Sequence, residues 1–275
     1  TMAMAEELCV RLSEPYRIGE LVISIGASCG VATMDDCRDA GSSLYECADY
    51  ALYHSKEHRR GLATLYSSQL EHDRISERSI EAALLSCDID KEMDIHLQPI
   101  FDVASGRILS VEALARWTHP VLGPVRPDVF IPLAERCGIT HHLTTRLFSK
   151  ALAHAARIPS SIRVSFNLSA HDVVSRETIL SLMAAIRGSG LDPSRIVFEL
   201  TETAVIADFT LARESLGLLH ALGARIALDD FGTGQSNLGY LHELPIDTIK
   251  IDRSFVSGPK GDDRRRLLAA VVAFS

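Results

Sequence analysis

Val111-Glu112-Ala113-Leu114-Ala115-Arg116-Trp117 is the stretch on which the reading of this chain turns. It overlaps an apolar run over residues 108–114 that has the length and composition of a strand, and that strand ends near a carboxylate, Glu112. The same combination recurs downstream. Further strands are expected over residues 95–101, 162–168, 195–200, 225–228 and 248–251, with helices over 127–137, 142–156, 176–189 and 207–222. From the third strand on, strands return after roughly 20 to 30 residues, the size of a βα unit. Near-continuous apolar strands separated by amphipathic helices predict a parallel sheet covered by helices, closed as a barrel or left open.

The strand ends carry the chemistry. In order they deliver Glu112, Asn167, Glu199 with Glu202, the pair Asp229-Asp230, and Lys250 with Asp252. In a (β/α)8 barrel such ends converge on one face, where the active site lies. Each has a plain structural explanation when taken singly. Asp229-Asp230-Phe231-Gly232 would serve as a turn into a helix, and Asn167-Leu168-Ser169 as a helix cap. Five strands delivering polar groups to one rim are not explained by packing. All the candidate ligands are oxygen donors, which selects Mg²⁺ or Mn²⁺ over zinc or copper. Two adjacent aspartates repel unless a cation lies between them, so two ions are expected. A pair of ions about 4 Å apart suits in-line displacement at a phosphodiester, with Lys250 neutralising charge on the phosphate or its leaving oxygen.

Composition limits the alternatives. The chain has 275 residues, 47% of them hydrophobic, enough to fill a core, and a formal net charge of −8. That charge argues against a nucleic-acid binder with a phosphate-neutralising face. No apolar stretch approaches the roughly 20 residues of a membrane span, and no signal peptide opens the chain. The six cysteines show no C-x-x-C pairing or zinc-like spacing, so reduced thiols in the cytoplasm are expected. His141-His142 lacks a third ligand, Arg264-Arg265-Arg266 reads as a solvated helix face, and Trp117 as a packing anchor. Gly232 and Gly234 suit a mobile loop after Asp230.

The first segment has another rhythm: helix, then β-like stretches over 20–28 and 29–33, a helix over 42–57 and an extended run over 62–66. Domains are therefore expected at 1–66, a linker helix at 67–80, and a second domain at 81–275. Both ends fall inside amphipathic patterns, so each domain is expected to continue past the sequence.

Residues from about 80 onward resemble the EAL domain, a metal-dependent phosphodiesterase that linearises cyclic di-GMP to pGpG. The resemblance is carried by Leu97-Gln98-Pro99-Ile100, by Glu112 to Trp117, and by residues 123–138 with Phe130-Ile131-Pro132 and Glu135. It continues through Asn167-Leu168-Ser169, Glu199-Leu200-Thr201-Glu202, Asp229-Asp230-Phe231-Gly232-Thr233-Gly234 and Lys250-Ile251-Asp252-Arg253-Ser254-Phe255. It implies a TIM-like (β/α)8 barrel. Glu112, Asn167, Glu199 and Asp229 would be metal ligands, with Asp230 binding or bridging to a second metal. Lys250 would contact the metal-bound water or the phosphate, and Glu202 would order the loop after Asp230. Gln98, Leu114 and Arg116 would hold the dinucleotide, Arg116 by a charge-assisted phosphate contact. A cytoplasmic homodimer formed through this domain is also implied.

Residues 1–66 resemble the C-terminal part of an α+β GGDEF (diguanylate cyclase) domain, on Ser28-Cys29-Gly30-Val31-Ala32, on the run from Ala48-Asp49-Tyr50 through Lys56, and on Gly61. The cyclase signature would lie upstream of Thr1. The family's later glutamate of Ala-Glu-Gly-Val-Glu would lie beyond Ser275, as would the last strands of the barrel. A chain so bounded is expected to be unstable or poorly active. Gln235 and Asn237 depart from the family's usual Tyr and Ser. The alternative reading is a catalytically inactive module that senses cyclic di-GMP.

Overall fold

The computed structural model describes residues 2–19, 21–37, 43–231 and 242–252, and its contacts divide into two units, Thr1–Ala82 and Ala83–Ser275. The first unit runs α1 (Met2–Leu12), β1 (Tyr16–Ile18), β2 (Leu21–Ile23), β3 (Cys29–Val31), α2 (Leu44–His58) and β4 (Ala63–Leu65), followed by α3 (Ser68–Ser86), which passes the division. β1 and β2 form an antiparallel hairpin, turned at Gly19 with φ +65. This hairpin replaces the single stretch expected over 20–28, because a glycine in the left-handed region lets the chain reverse within a few residues. β3 pairs with β4 in parallel. A capping box starts α2: the Ser43 hydroxyl accepts from the Glu46 backbone N–H, and the Glu46 carboxylate accepts from the Ser43 N–H. Gly30 lets that helix lie on β3, since a Cβ there would stand 2.1 Å from the Ala48 carbonyl oxygen.

The second unit continues with α4 (Ile89–Glu92), β5 (Met93–Phe101), β6 (Ile108–His119), β7 (Gly123–Val125), α5 (Pro127–Arg136), α6 (Thr140–Ala155), β8 (Arg163–Asn167), α7 (Ala170–Val174) and α8 (Arg176–Ser189). A 3-10 turn (Pro193–Arg195) leads to β9 (Ile196–Thr201), α9 (Glu202–Ala207), α10 (Phe209–Ala221), β10 (Arg225–Phe231) and β11 (Thr248–Ile251). The sheet order is β11-β10-β9-β8-β6-β5, with β7 on β6. From β6 through β8, β9 and β10 to β11 every pairing on that path is parallel, the mixed α/β pattern expected.

The wholly parallel sheet fails at the edge: β5 pairs with β6 antiparallel. Only residues 102–107 join them, far short of the dozen or so that a parallel crossover needs. The turn is held by Asp102 Oδ1, which accepts from the Ser105 N–H at 2.7 Å, and by Gly106 at φ +66. β6 also runs well past Leu114, so Glu112 stands in mid-strand; its C-terminal half is carried by β5 and β7.

Local signals start most helices of the second unit, although α6 begins at Ile139 without a side-chain cap. Pro127 occupies the first turn of α5, Ser169 and Asp172 form a capping box on α7, and Ser175, Thr201 and Asp208 cap α8, α9 and α10. The core between helices and sheet holds Phe130, Phe148, Phe166, Ile186, Phe198 and Ile226. Phe148 joins α6 to the sheet, with ring centroids 5.1 Å from Phe166 and 5.3 Å from Phe198. Arg195 is buried and closes the end of α6, donating to the carbonyls of Ala155, Ile158, Pro159 and Ile162. A buried guanidinium is tolerated there because carbonyl oxygens at a helix C-terminus carry partial negative charge. Trp117 is an anchor as expected: it is 1% exposed, meets Phe130 edge-on at 5.7 Å, and its indole N–H donates to Glu92.

Candidate active site

Strand periodicity places Glu112, Leu114 and Arg116 on one face of β6 and Val111, Ala113 and Trp117, all buried, on the other. Register then aligns neighbours. Gln98 on β5 lies opposite Glu112, Glu112 opposite Ser165, and Asn167 opposite Glu199. The parallel strands therefore bring Glu112, Asn167, Glu199, Asp229 and Lys250 to one place.

The contacts among them are short. The Asn167 Nδ2 donates to Glu112 Oε1 at 2.9 Å. The Lys250 ammonium donates to Glu199 Oε2 and to Asp229 Oδ2, both at 2.7 Å, and stands 4.0 Å from Glu112 Oε2. Glu199 is 3% exposed. Burial raises its pKa above the ordinary carboxylate value, and the hydrogen bond from Lys250 offsets part of that rise. Burial alone would lower the pKa of Lys250, but the bonds to Asp229 and Glu199 outweigh it and hold the ammonium above the usual lysine value. The lysine is thus a fixed positive charge in a ring of carboxylates.

Asp230 extends the cluster. Its φ of +52 makes it the non-glycine residue with left-handed backbone among the described residues, a conformation costing about 1–3 kcal/mol. The Asp230 N–H donates to Asp229 Oδ1 at 2.9 Å, which ties the turn to the neighbouring carboxylate. Burial raises the Asp230 pKa, and the charges of Asp229 and Asp252 raise it further. A cation delivered here would relieve that repulsion.

The other expected residues lie on β5, on β6 and at the start of α9. Gln98 is exposed on β5. Leu114 lines a cavity of about 290 Å³ with Pro127, Ile131, Thr144, Asn167 and Thr201. Arg116 lies on a separate groove with His96, Pro124, Pro127 and Asp128, and its Nη1 donates to the Ala115 carbonyl. Glu202 is buried at the start of α9. The loop it was expected to order, with Gly232, Gly234, Gln235 and Asn237, lies outside the described residues, as do Arg253-Ser254-Phe255 and Arg264-Arg265-Arg266.

Two residues were missed by the sequence reading. Ser165 is 2% exposed, and its hydroxyl bonds to the Glu199 carboxylate and moderates its pKa. A hydroxyl inside an otherwise apolar strand, two residues before Asn167, was the available signal. Asp172 is 3% exposed beside the Leu114 cavity. Its carboxyl is raised by burial and is countered in part by the Ser169 N–H and the Thr144 hydroxyl.

A family model described as the EAL domain matches residues 78–275. This chain belongs to the EAL domain family. An uncharacterized signaling protein of Caulobacter vibrioides is 35% identical over 98% of the chain and 34% of its own length. The bifunctional diguanylate cyclase/cyclic di-GMP phosphodiesterase MucR of Pseudomonas aeruginosa is 31% identical over 98% of the chain and 40% of its own length. The chain thus spans little more than a third of such relatives. A solved structure of the PaMucR phosphodiesterase in complex with c-di-GMP superposes with a TM-score of 0.64 at 30% identity, covering 72% of this chain and 81% of that one. That coverage is about the share of the chain that the EAL domain occupies. Among the described residues, no helix is long and apolar enough to cross a membrane.

The donor set fits a hard cation in chemistry: three carboxylates and an amide, all able to offer oxygen. Among the described residues, however, no three His, Cys, Asp or Glu side chains are grouped as a ready metal cluster. The space between Glu199 and Asp229 is taken by the Lys250 ammonium.

Proposed function

We propose that this chain hydrolyses cyclic di-GMP to linear pGpG, with Mg²⁺ or Mn²⁺ held by Glu112, Asn167, Glu199 and Asp229, and a second ion by Asp230. The observation that carries this reading is the convergence of Glu112, Asn167, Glu199, Asp229 and Lys250 on one point of the sheet. Bound divalent ions would supply Lewis acidity and lower the pKa of a water. The protein's own groups do the rest. Glu112, Glu199 and Asp229 provide negative charge that concentrates the cations. Lys250 places a fixed positive charge where a phosphate oxygen would gain charge. Gln98, Leu114 and Arg116, on β5 and β6, help hold the dinucleotide, Arg116 by a charge-assisted phosphate contact. Glu202, at the start of α9, orders the loop that follows Asp230.

The first unit belongs to the same reading, as the C-terminal part of a GGDEF domain over residues 1–66, joined through a helix over 67–80. The MucR relative, which matches across both units, carries a cyclase and a phosphodiesterase in its name. Cytoplasmic location and pairing of two copies through the EAL domain complete the proposal.

The test is incubation of the chain with cyclic di-GMP and Mn²⁺ or Mg²⁺, with products separated by chromatography. Metal-dependent appearance of pGpG is expected. Tight binding without turnover would instead establish the sensor alternative, and no binding in either metal would discard both.

A further inference from the structure

We infer that Lys250 competes with a divalent cation for the same two carboxylate oxygens, so that it holds the metal site together while holding its metal affinity down. The inference rests on the metal-dependent reading above and adds a regulator internal to the site. The decisive contacts are the two at 2.7 Å, from the Lys250 Nζ to Glu199 Oε2 and Asp229 Oδ2. Charge-assisted bonds of this length are the strong kind. The other oxygen of Asp229, Oδ1, accepts the Asp230 N–H at 2.9 Å. Glu199 is nearly fully buried, and a buried carboxylate stripped of its partner is costly. The ammonium therefore holds this pair together.

A Mg²⁺ ion ligated through those same two oxygens would sit about 2.0–2.1 Å from each. An ammonium at 2.7 Å from both fills the space between them, so cation entry must break at least one ion pair. Asn167 points to the same rearrangement. It offers Nδ2 to Glu112 Oε1, and ligation through its oxygen requires the amide to turn. Lys250 is 27% exposed at its side chain, which leaves it room to swing outward onto a phosphate once the cation is seated. The displaced ammonium then becomes the positive charge that faces the substrate, which links metal loading to substrate contact.

The competition has a sign that calorimetry reads without substrate. Titration of Mn²⁺ into the chain and into Lys250→Met should show the variant binding at least about tenfold tighter, roughly the worth of one strong ion pair. Without metal the variant should melt at a lower temperature than the parent, and Mn²⁺ should raise its melting temperature by more. Lys250→Arg keeps the charge and should bind Mn²⁺ no more tightly than the parent. Unchanged or weaker binding by Lys250→Met would overturn the inference, since Lys250 would then be assisting the metal. A second measurement uses the parent chain alone: with ¹⁵N-labelled lysine, the Lys250 ammonium signal should shift and lose exchange protection on adding Mg²⁺. A signal unmoved at saturating Mg²⁺ would equally overturn it. If neither chain binds Mn²⁺, the metal-dependent function falls as well; binding by the parent that Lys250→Met does not strengthen removes the competition alone.

Discussion

The two halves of the main sheet are built differently. In the parallel half, the middles of β8, β9 and β10 are buried, and their polar groups gather at Ser165, Asn167, Glu199 and Asp229. At the antiparallel edge, β5 buries Met93 and Ile95 but exposes Gln98, Pro99 and Phe101. Helices on the parallel half exclude water from everything except the strand tips, so charges can be held in a low-dielectric ring. The edge strand meets solvent, and its His96 lines the groove that holds Arg116. On the proposed reading, the first half would carry the chemistry and the second the recognition.

Removing a charge from the parallel half should have the largest effect. Glu199→Gln is expected to lower phosphodiesterase turnover by about 10³-fold, comparable to losing a strong electrostatic contact in a closed site. Steady-state rates with saturating metal would check it. Retention of more than a tenth of the parent rate would mean that Glu199 is not central.

Packing should divide the same way. Phe148→Ala removes the ring that joins α6 to β8 and β9 and is expected to cost about 3–5 kcal/mol in denaturant unfolding. Phe101→Ala, on the exposed edge, should stay within about 0.5 kcal/mol. Equal losses would erase the distinction between the halves. A recognition role at the edge predicts that Arg116→Ala raises KM for cyclic di-GMP about tenfold with kcat little changed. A fall in kcat with constant KM would move Arg116 into the chemistry.

The smallest effects concern pH, and they should run in opposite directions. Asp94, on the edge strand, is held below its ordinary pKa by the Ile95 N–H and by His154. Its stabilisation is therefore present above the unfolded carboxylate pKa and lost as pH falls through the lower, folded value. Asp172, buried against α6, has a raised pKa, so it favours the folded state when protonated. That advantage disappears as pH rises from the unfolded toward the folded value. Asp94→Asn should thus lose stability at neutral pH but not in acid, whereas Asp172→Asn should gain relative stability as pH rises. Parallel pH profiles for the two variants would contradict this assignment.

Much of the second unit was legible because its signals are local. β11 begins and ends as the apolar pattern predicts, and so does α8, between the Ser175 cap and Gly190. Asn167 was readable because it closes an apolar strand, and Glu199 and Asp229 because each follows an apolar run within its strand. The hairpin between β5 and β6 was not read, although residues 102–107 are too few for a crossover. Arg195 was not legible either: only the end of α6, about 40 residues earlier in the chain, makes a buried guanidinium affordable. Ser165 looked like an ordinary strand residue until the register set it opposite Glu112.

The sequence by itself determined which residue types line the rim, and in what order, because strand length and side-chain alternation depend only on near neighbours. It also carried the family. Tertiary structure decided that β5 turns back along β6, that Gln98 faces Glu112, and that the Lys250 ammonium sits between Glu199 and Asp229. Those are contacts across the sheet, 51 and 21 residues apart for Lys250. No local pattern encodes them, since they depend on strand register, and register is settled only when the faces of the sheet are buried.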